Sequence, residues 1–82
     1  MKNIEKYQQI FLEQFPISVS DLNEEYTRES EDLWDDFASL AMCLAMDDEF
    51  GVHISDEDIY DNFDGYMKGI EILKKYGVDL GV

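Results

Sequence analysis

Apolar residues in the first stretch of the chain recur at the spacing of a helix: Ile4, Tyr7, Ile10, Phe11 and Phe15 share a face, while Glu5, Gln9 and Glu13 fall elsewhere. This pattern predicts an amphipathic first helix over residues 2–15. Pro16, the only proline, marks its end by disfavouring helical geometry at Phe15. From residue 17 to 32 neither the helical nor the strand period persists, and Ser18, Ser20, Asp21, Asn23, Thr27 and Ser30 are turn formers. The stretch reads as a long loop with one short turn around residues 22–26. A loop of that length in a compact domain is usually functional, disordered or a missed element.

A second helix is expected over residues 36–50. Asp35 can cap it by accepting a backbone N–H bond, Asp36 adds negative charge at the positive end of its dipole, and Gly51 supplies the left-handed conformation that stops helices. At about 100° per residue, Ser39, Met42, Cys43, Met46 and Phe50 lie on one side, and Phe37, Leu40, Ala41 and Leu44 on the other. Asp36, Asp47 and Asp48 flank the second side, and carboxylates are rarely buried unless paired. Met42, Cys43, Met46 and Phe50 are therefore assigned to the core, which leaves Phe37, Leu40 and Leu44 as a surface strip of the kind that binds partners. The opposing reading, with both sides buried in a small bundle, stays open at this level.

Beyond a short extended link at Val52, His53 and Ile54, Ser55 followed by Asp58 approximates a capping box and opens a third helix over residues 56–61. Ile59 turns inward there, with Tyr60 a second candidate. A last helix is expected over residues 64–76, with Tyr66, Met67, Ile70 and Leu73 as its apolar repeat. Lys74 and Lys75 complement its C-terminal end, and Gly77 stops it. Gly69 weakens that helix by about 1 kcal/mol relative to alanine and is a candidate point of close helix contact. Residues 78–82 are expected to fray. The whole is an all-α, four-helix reading with one domain over residues 1–82.

Charge narrows the partners. Six Lys and Arg against 20 Asp and Glu leave a formal net charge of −14 in 82 residues, a field that repels phosphate and so argues against nucleic acid and anionic membranes. Basic protein surfaces are the natural partners. The single cysteine, Cys43, has no partner for an internal disulfide and reads as a small core hydrophobe. No apolar run approaches the ~20 residues that span a bilayer, and the N-terminal segment lacks the apolar core of a signal peptide. The expectation is a cytoplasmic monomer.

Residues 33–58 carry a resemblance. Asp35-Asp36-Phe37, the apolar helix ending Asp47-Asp48-Glu49-Phe50, the stretch Gly51-Val52-His53-Ile54 and the helix opening Ser55-Asp56-Glu57-Asp58 resemble, without a gap, the second helix and following loop of acyl carrier proteins. There the pattern is Asp-Ser-Leu, an apolar helix ending Glu-Glu-Glu-Phe, a Gly/β-branched stretch and a Pro/Ser-Asp-Glu start. Leu33-Trp34 is similar to carrier domains that read Trp-Asp-Ser-Phe or Trp-Asp-Ser-Leu. The resemblance implies a four-helix carrier-type bundle with a short third helix and a long but ordered loop between helices 1 and 2, for which Val19, Leu22 and Leu33 are the candidate anchors. It also implies an acidic second helix that docks on basic surfaces of transferases, ligases or synthases of fatty acid, polyketide or nonribosomal peptide biosynthesis. Asp36, Asp47 and Asp48 stand where such contacts fall, and with Asp35 and the strip of Phe37, Leu40 and Leu44 they make up the expected partner-binding set.

One departure decides what the resemblance implies about cofactors. The family's serine carries 4′-phosphopantetheine, and this chain has Asp36 in its place. A carboxylate offers no hydroxyl to the phosphodiester, so the chain as written takes no cofactor; a serine at 36 would take 4′-phosphopantetheine. Natural loss of the arm, an engineered Ser-to-Asp change and a misplaced alignment are the three accounts. Ala41 also stands where many family members have an acid. An acidic interaction or inhibitor protein with no carrier role is the alternative function.

Other chemistry is sparse. Asp47, Asp48, Glu49, Asp56, Glu57, Asp58 and Asp61 form a carboxylate belt with no Lys or Arg among them in sequence, read as a solvated face; their spacing matches no EF-hand loop. His53, the sole histidine, has no second ligand for zinc and reads as a loop residue. Trp34 reads as a lid packing the loop onto the helices. No nucleophile, phosphate loop or metal motif is present, so no catalytic residue and no metal site are assigned, and the chain is not read as an enzyme.

Overall fold

The computed structural model describes residues 1–82, which form a small helical bundle without strands. Helix α1 spans Asn3–Gln14, α2 Asp36–Phe50 and α3 Tyr66–Lys75; a 3-10 turn at Val19–Asp21 and a π-helical segment at Asp58–Asn62 lie between them. The ends follow local chemistry. Lys2 N–H donates to Glu5 Oε1 at 2.9 Å at the start of α1, and Phe15 turns extended before Pro16. Asp35 Oδ1 accepts the Ala38 N–H at 2.9 Å to open α2, and Gly51 closes it at φ +65°. Gly77 is likewise left-handed after α3.

Phe11 is the hub of the core. Six rings surround it, those of Tyr7, Phe15, Tyr26, Trp34, Phe63 and Tyr66, with centroids 5.2 to 6.3 Å away and mostly edge-on, the geometry that ring quadrupoles favour. α1 thereby holds the loop, the start of α2 and the start of α3 at one point. Beneath it α2 contributes Met42, Cys43 and Met46, all buried, while Phe50 is only half-buried at the core's edge. Gly69 lets α1 and α3 meet: a Cβ there would collide with Tyr7 Oη and lie 2.8 Å from Phe63 Cε1.

Several expectations need correction. The long loop is anchored by Leu22, Tyr26 and Trp34, whereas Val19 and Leu33 are exposed. Leu33 and Trp34 are adjacent and face opposite ways, and the indole is the side that goes in because it fills the aromatic cluster and its N–H finds the Ser39 hydroxyl at 2.7 Å. α3 begins at Tyr66 rather than residue 64, because the backbone of residues 64–66 is engaged by the loop: Arg28 N–H donates to Asp64 O and Tyr66 N–H to Tyr26 O, both at 2.9 Å, around a Thr27–Gly65 bridge. Met67 is exposed and Ile72 takes a place in the core instead. The tail is not frayed; Leu80 is buried and Asn3 Nδ2 donates to Asp79 O at 3.0 Å.

The third helical stretch runs to Asn62, one residue past expectation, and Phe63 N–H reaches back five residues to Asp58 O at 2.8 Å, the signature of a π turn. Ile59 points in and Tyr60 stays partly exposed. Ser55 Oγ accepts the Asp58 N–H at 3.2 Å, but the reciprocal half of the capping box is absent, since Ser55 N–H donates to Tyr76 Oη instead. Asp58 has other work.

Candidate functional site

The start of α2 gathers most of the residues singled out in the sequence. Asp35 is committed to the cap. Asp36, in the first turn, projects its side chain to solvent, 67% exposed, and its Oδ1 accepts from Arg28 Nη2 at 2.8 Å. Nothing in the sequence spacing announced Arg28 as its partner; the only signal was that it is the one cation between Lys6 and Lys68.

Phe37 is 82% exposed, an unusual position for a phenylalanine in a well-packed domain. Leu44, two turns on, is also exposed, Ala41 lies open between them, and Leu40 is half-buried against the core. Helical spacing puts Phe37, Leu40, Ala41 and Leu44 in an apolar strip along the outer side of α2, and Leu33, just before the helix, is exposed as well. The reading in which both sides of the helix are buried does not hold. Asp32, Asp35, Asp36 and Asp48 border the strip and are exposed.

Asp47 stands apart from them. Its Oδ1 accepts the Ile54 N–H at 3.0 Å, so it fastens the link after α2 instead of facing outward freely. The carboxylate belt is also less uniform than its sequence implies. Asp58 is 3% exposed and accepts from Asn62 Nδ2 at 2.7 Å, Tyr76 Oη at 2.7 Å and Lys75 Nζ at 2.7 and 2.9 Å. Burial alone would raise its pKa, but the hydrogen bonds from Lys75, Tyr76 and Asn62 outweigh that and hold the carboxyl well below the usual range. Glu49 has a looser partner in Lys6 at 3.6 Å. Both cations come from helices distant in sequence.

Ser39, the hydroxyl nearest position 36 along α2, is fully buried and accepts from Trp34, so no enzyme can reach it as an attachment site. Burial, with Asp47 and Asp58 nearby, pushes the Cys43 thiol up to about 12, which leaves it protonated and unreactive at neutral pH. His53 is exposed in the link. No group of three or more His, Cys, Asp or Glu side chains is placed to hold a metal ion, and no helix is long and apolar enough to cross a membrane. The outer side of α2 thus joins exposed apolar side chains to exposed carboxylates.

Set against protein-family models, curated proteins and solved structures, the chain matches none of them.

Proposed function

We propose that this chain is a carrier-type docking module, related in design to acyl carrier proteins, which presents the outer side of α2 to basic surfaces of biosynthetic enzymes and cannot take a 4′-phosphopantetheine arm because Asp36 fills the prosthetic position. The observation that carries the reading is the exposed Phe37, at 82%, on an acid-bordered strip that begins one residue after Asp36. An apolar anchor ringed by carboxylates on a domain of net charge −14 suits a partner with an apolar pocket rimmed by Arg and Lys. The helical order, with a long loop before α2 and a short helical stretch before α3, is compatible with a carrier bundle.

Asp36→Ser recreates the motif Asp-Ser-Phe at an exposed helix start. Its stability cost is under ~1 kcal/mol, since a surface ion pair and part of a dipole interaction are all that is lost. Incubated with a promiscuous phosphopantetheinyl transferase and coenzyme A, the Ser variant gains the mass of one phosphopantetheine and the Asp36 chain gains none. A folded Ser variant that stays unlabelled removes the carrier part of the reading and leaves an acidic interaction protein. That second reading is favoured by the same strip and by the alanine at position 41.

A further inference from the structure

We infer that Arg28 is an intramolecular competitor for the basic partner, holding in cis the carboxylate that opens the docking face. The inference rests on the docking reading above and deepens it, naming what an incoming surface must displace. Arg28 is the only arginine in the chain. Its guanidinium Nη2 lies 2.8 Å from Asp36 Oδ1, on the residue that precedes Phe37 in α2.

The pair is not a chance meeting of two mobile side chains, because the backbone under Arg28 is fastened. Arg28 N–H donates to Asp64 O at 2.9 Å, Thr27 bridges to Gly65, and the Ser30 and Glu31 N–H groups return to Thr27 O at 3.1 and 3.0 Å. This stitching ties the loop to the start of α3 and aims residue 28 at the first turn of α2. The Arg28 side chain is 32% exposed, about half the value for Asp36, so the cation is the more firmly seated member.

Charge complementarity selects the occupant. Asp32, Asp35 and Asp48 border the strip with no Lys or Arg within ion-pair distance, while Asp36 alone is already neutralised. The other three salt bridges of the chain pair Glu49, Glu71 and Asp58, none of them a carboxylate of this face. A second copy of the chain would bring the same acids and be repelled. The occupant is a basic protein surface carrying an apolar side chain for Phe37 and an arginine or lysine that replaces Arg28 on Asp36. Arg28 thereby sets a threshold: a weakly basic surface leaves the internal pair intact, and a strongly basic one exchanges with it.

The probe is a dye-labelled amphipathic peptide of leucine and arginine, titrated with the full chain at low salt and read by fluorescence anisotropy. Arg28→Gln tightens binding about two- to five-fold, the range an exposed ion pair supplies when it no longer has to be broken. Lys68→Gln removes the same charge from a pair on α3, Lys68 with Glu71 at 3.8 Å, and gives less than half that gain. In an Asp36→Asn background the Arg28→Gln gain shrinks to the Lys68→Gln level. Equal gains from Arg28→Gln and Lys68→Gln, or no gain from Arg28→Gln, overturn the inference while the docking reading stands. Binding that is absent throughout, or that Phe37→Ser leaves unchanged, overturns both.

Discussion

Replacing Asp58 with asparagine keeps the size of the side chain and removes its charge, at the one carboxylate the fold has taken out of water. Asp58 accepts from Asn62, Lys75 and Tyr76, all as charge-assisted bonds of 2.7 to 2.9 Å. An amide offers one acceptor oxygen and turns an NH2 towards groups that are themselves donors, and charge-assisted bonds contribute about 1.5–3 kcal/mol each. Lys75 does not become a buried orphan, because its side chain is 59% exposed and returns to water; the cost therefore sits at the lower end of the range for breaking a buried pair, about 3 kcal/mol. For a domain of this size that lowers Tm by roughly 12–24 °C. The pH dependence carries the sign of a depressed carboxylate. The stabilisation is complete above the unfolded value of about 3.9 and is lost as pH falls through the lower folded value, so the gap between wild type and Asp58→Asn is full at about pH 5 and above and narrows below about pH 4. Urea melts followed by circular dichroism at both ends of that range measure it. A gap under ~1 kcal/mol at neutral pH, or one that stays constant into acid, would refute the account of Asp58 as a charged clamp between the π-helical segment and the end of α3.

Gly69→Ala raises helix propensity by about 1 kcal/mol yet lowers stability, because the new methyl meets Tyr7 Oη, which is fully buried and bonded to Tyr66 O and has nowhere to go. Overpacking of that kind costs about 1–3 kcal/mol, and a lower Tm on thermal melting is the expected result; a higher one would show that α1 and α3 are not in contact there. Added salt or Mg²⁺ raises Tm by screening the net charge of −14. A melting temperature flat across both titrations would mean that pairings such as Asp58 with Lys75 and Asp36 with Arg28 already neutralise most of the strain.

The helices were legible because their signals are local. Asp35 before an apolar run, Gly51 and Gly77 after theirs, and Pro16 behind Phe15 act within a turn of backbone, so the bounds of α1 and α2 fall within a residue or two of those read from periodicity. The division of α2 into a buried and an acid-bordered side was also legible, since carboxylates at residues 36 and 48 mark which way solvent lies. The loop was not. Tyr26 sits among turn formers with no period to flag it, and its burial is decided by Phe11 within α1, Phe15 just after it and Trp34 just before α2.

The same limit governs the charges. Sequence by itself determined that this protein is acidic and helical and that residue 36 is a carboxylate with no hydroxyl, because those properties belong to residue identity and to neighbours within a turn. Only the tertiary structure decided that Asp58 is buried and ion-paired, that Arg28 rests on Asp36 and that Leu80 closes the tail onto the bundle. Those partners lie 17 residues away for Asp58 and 8 for Asp36. Their pairing depends on how α3 and the loop pack, and helical periodicity carries no information about which distant cation arrives at which carboxylate.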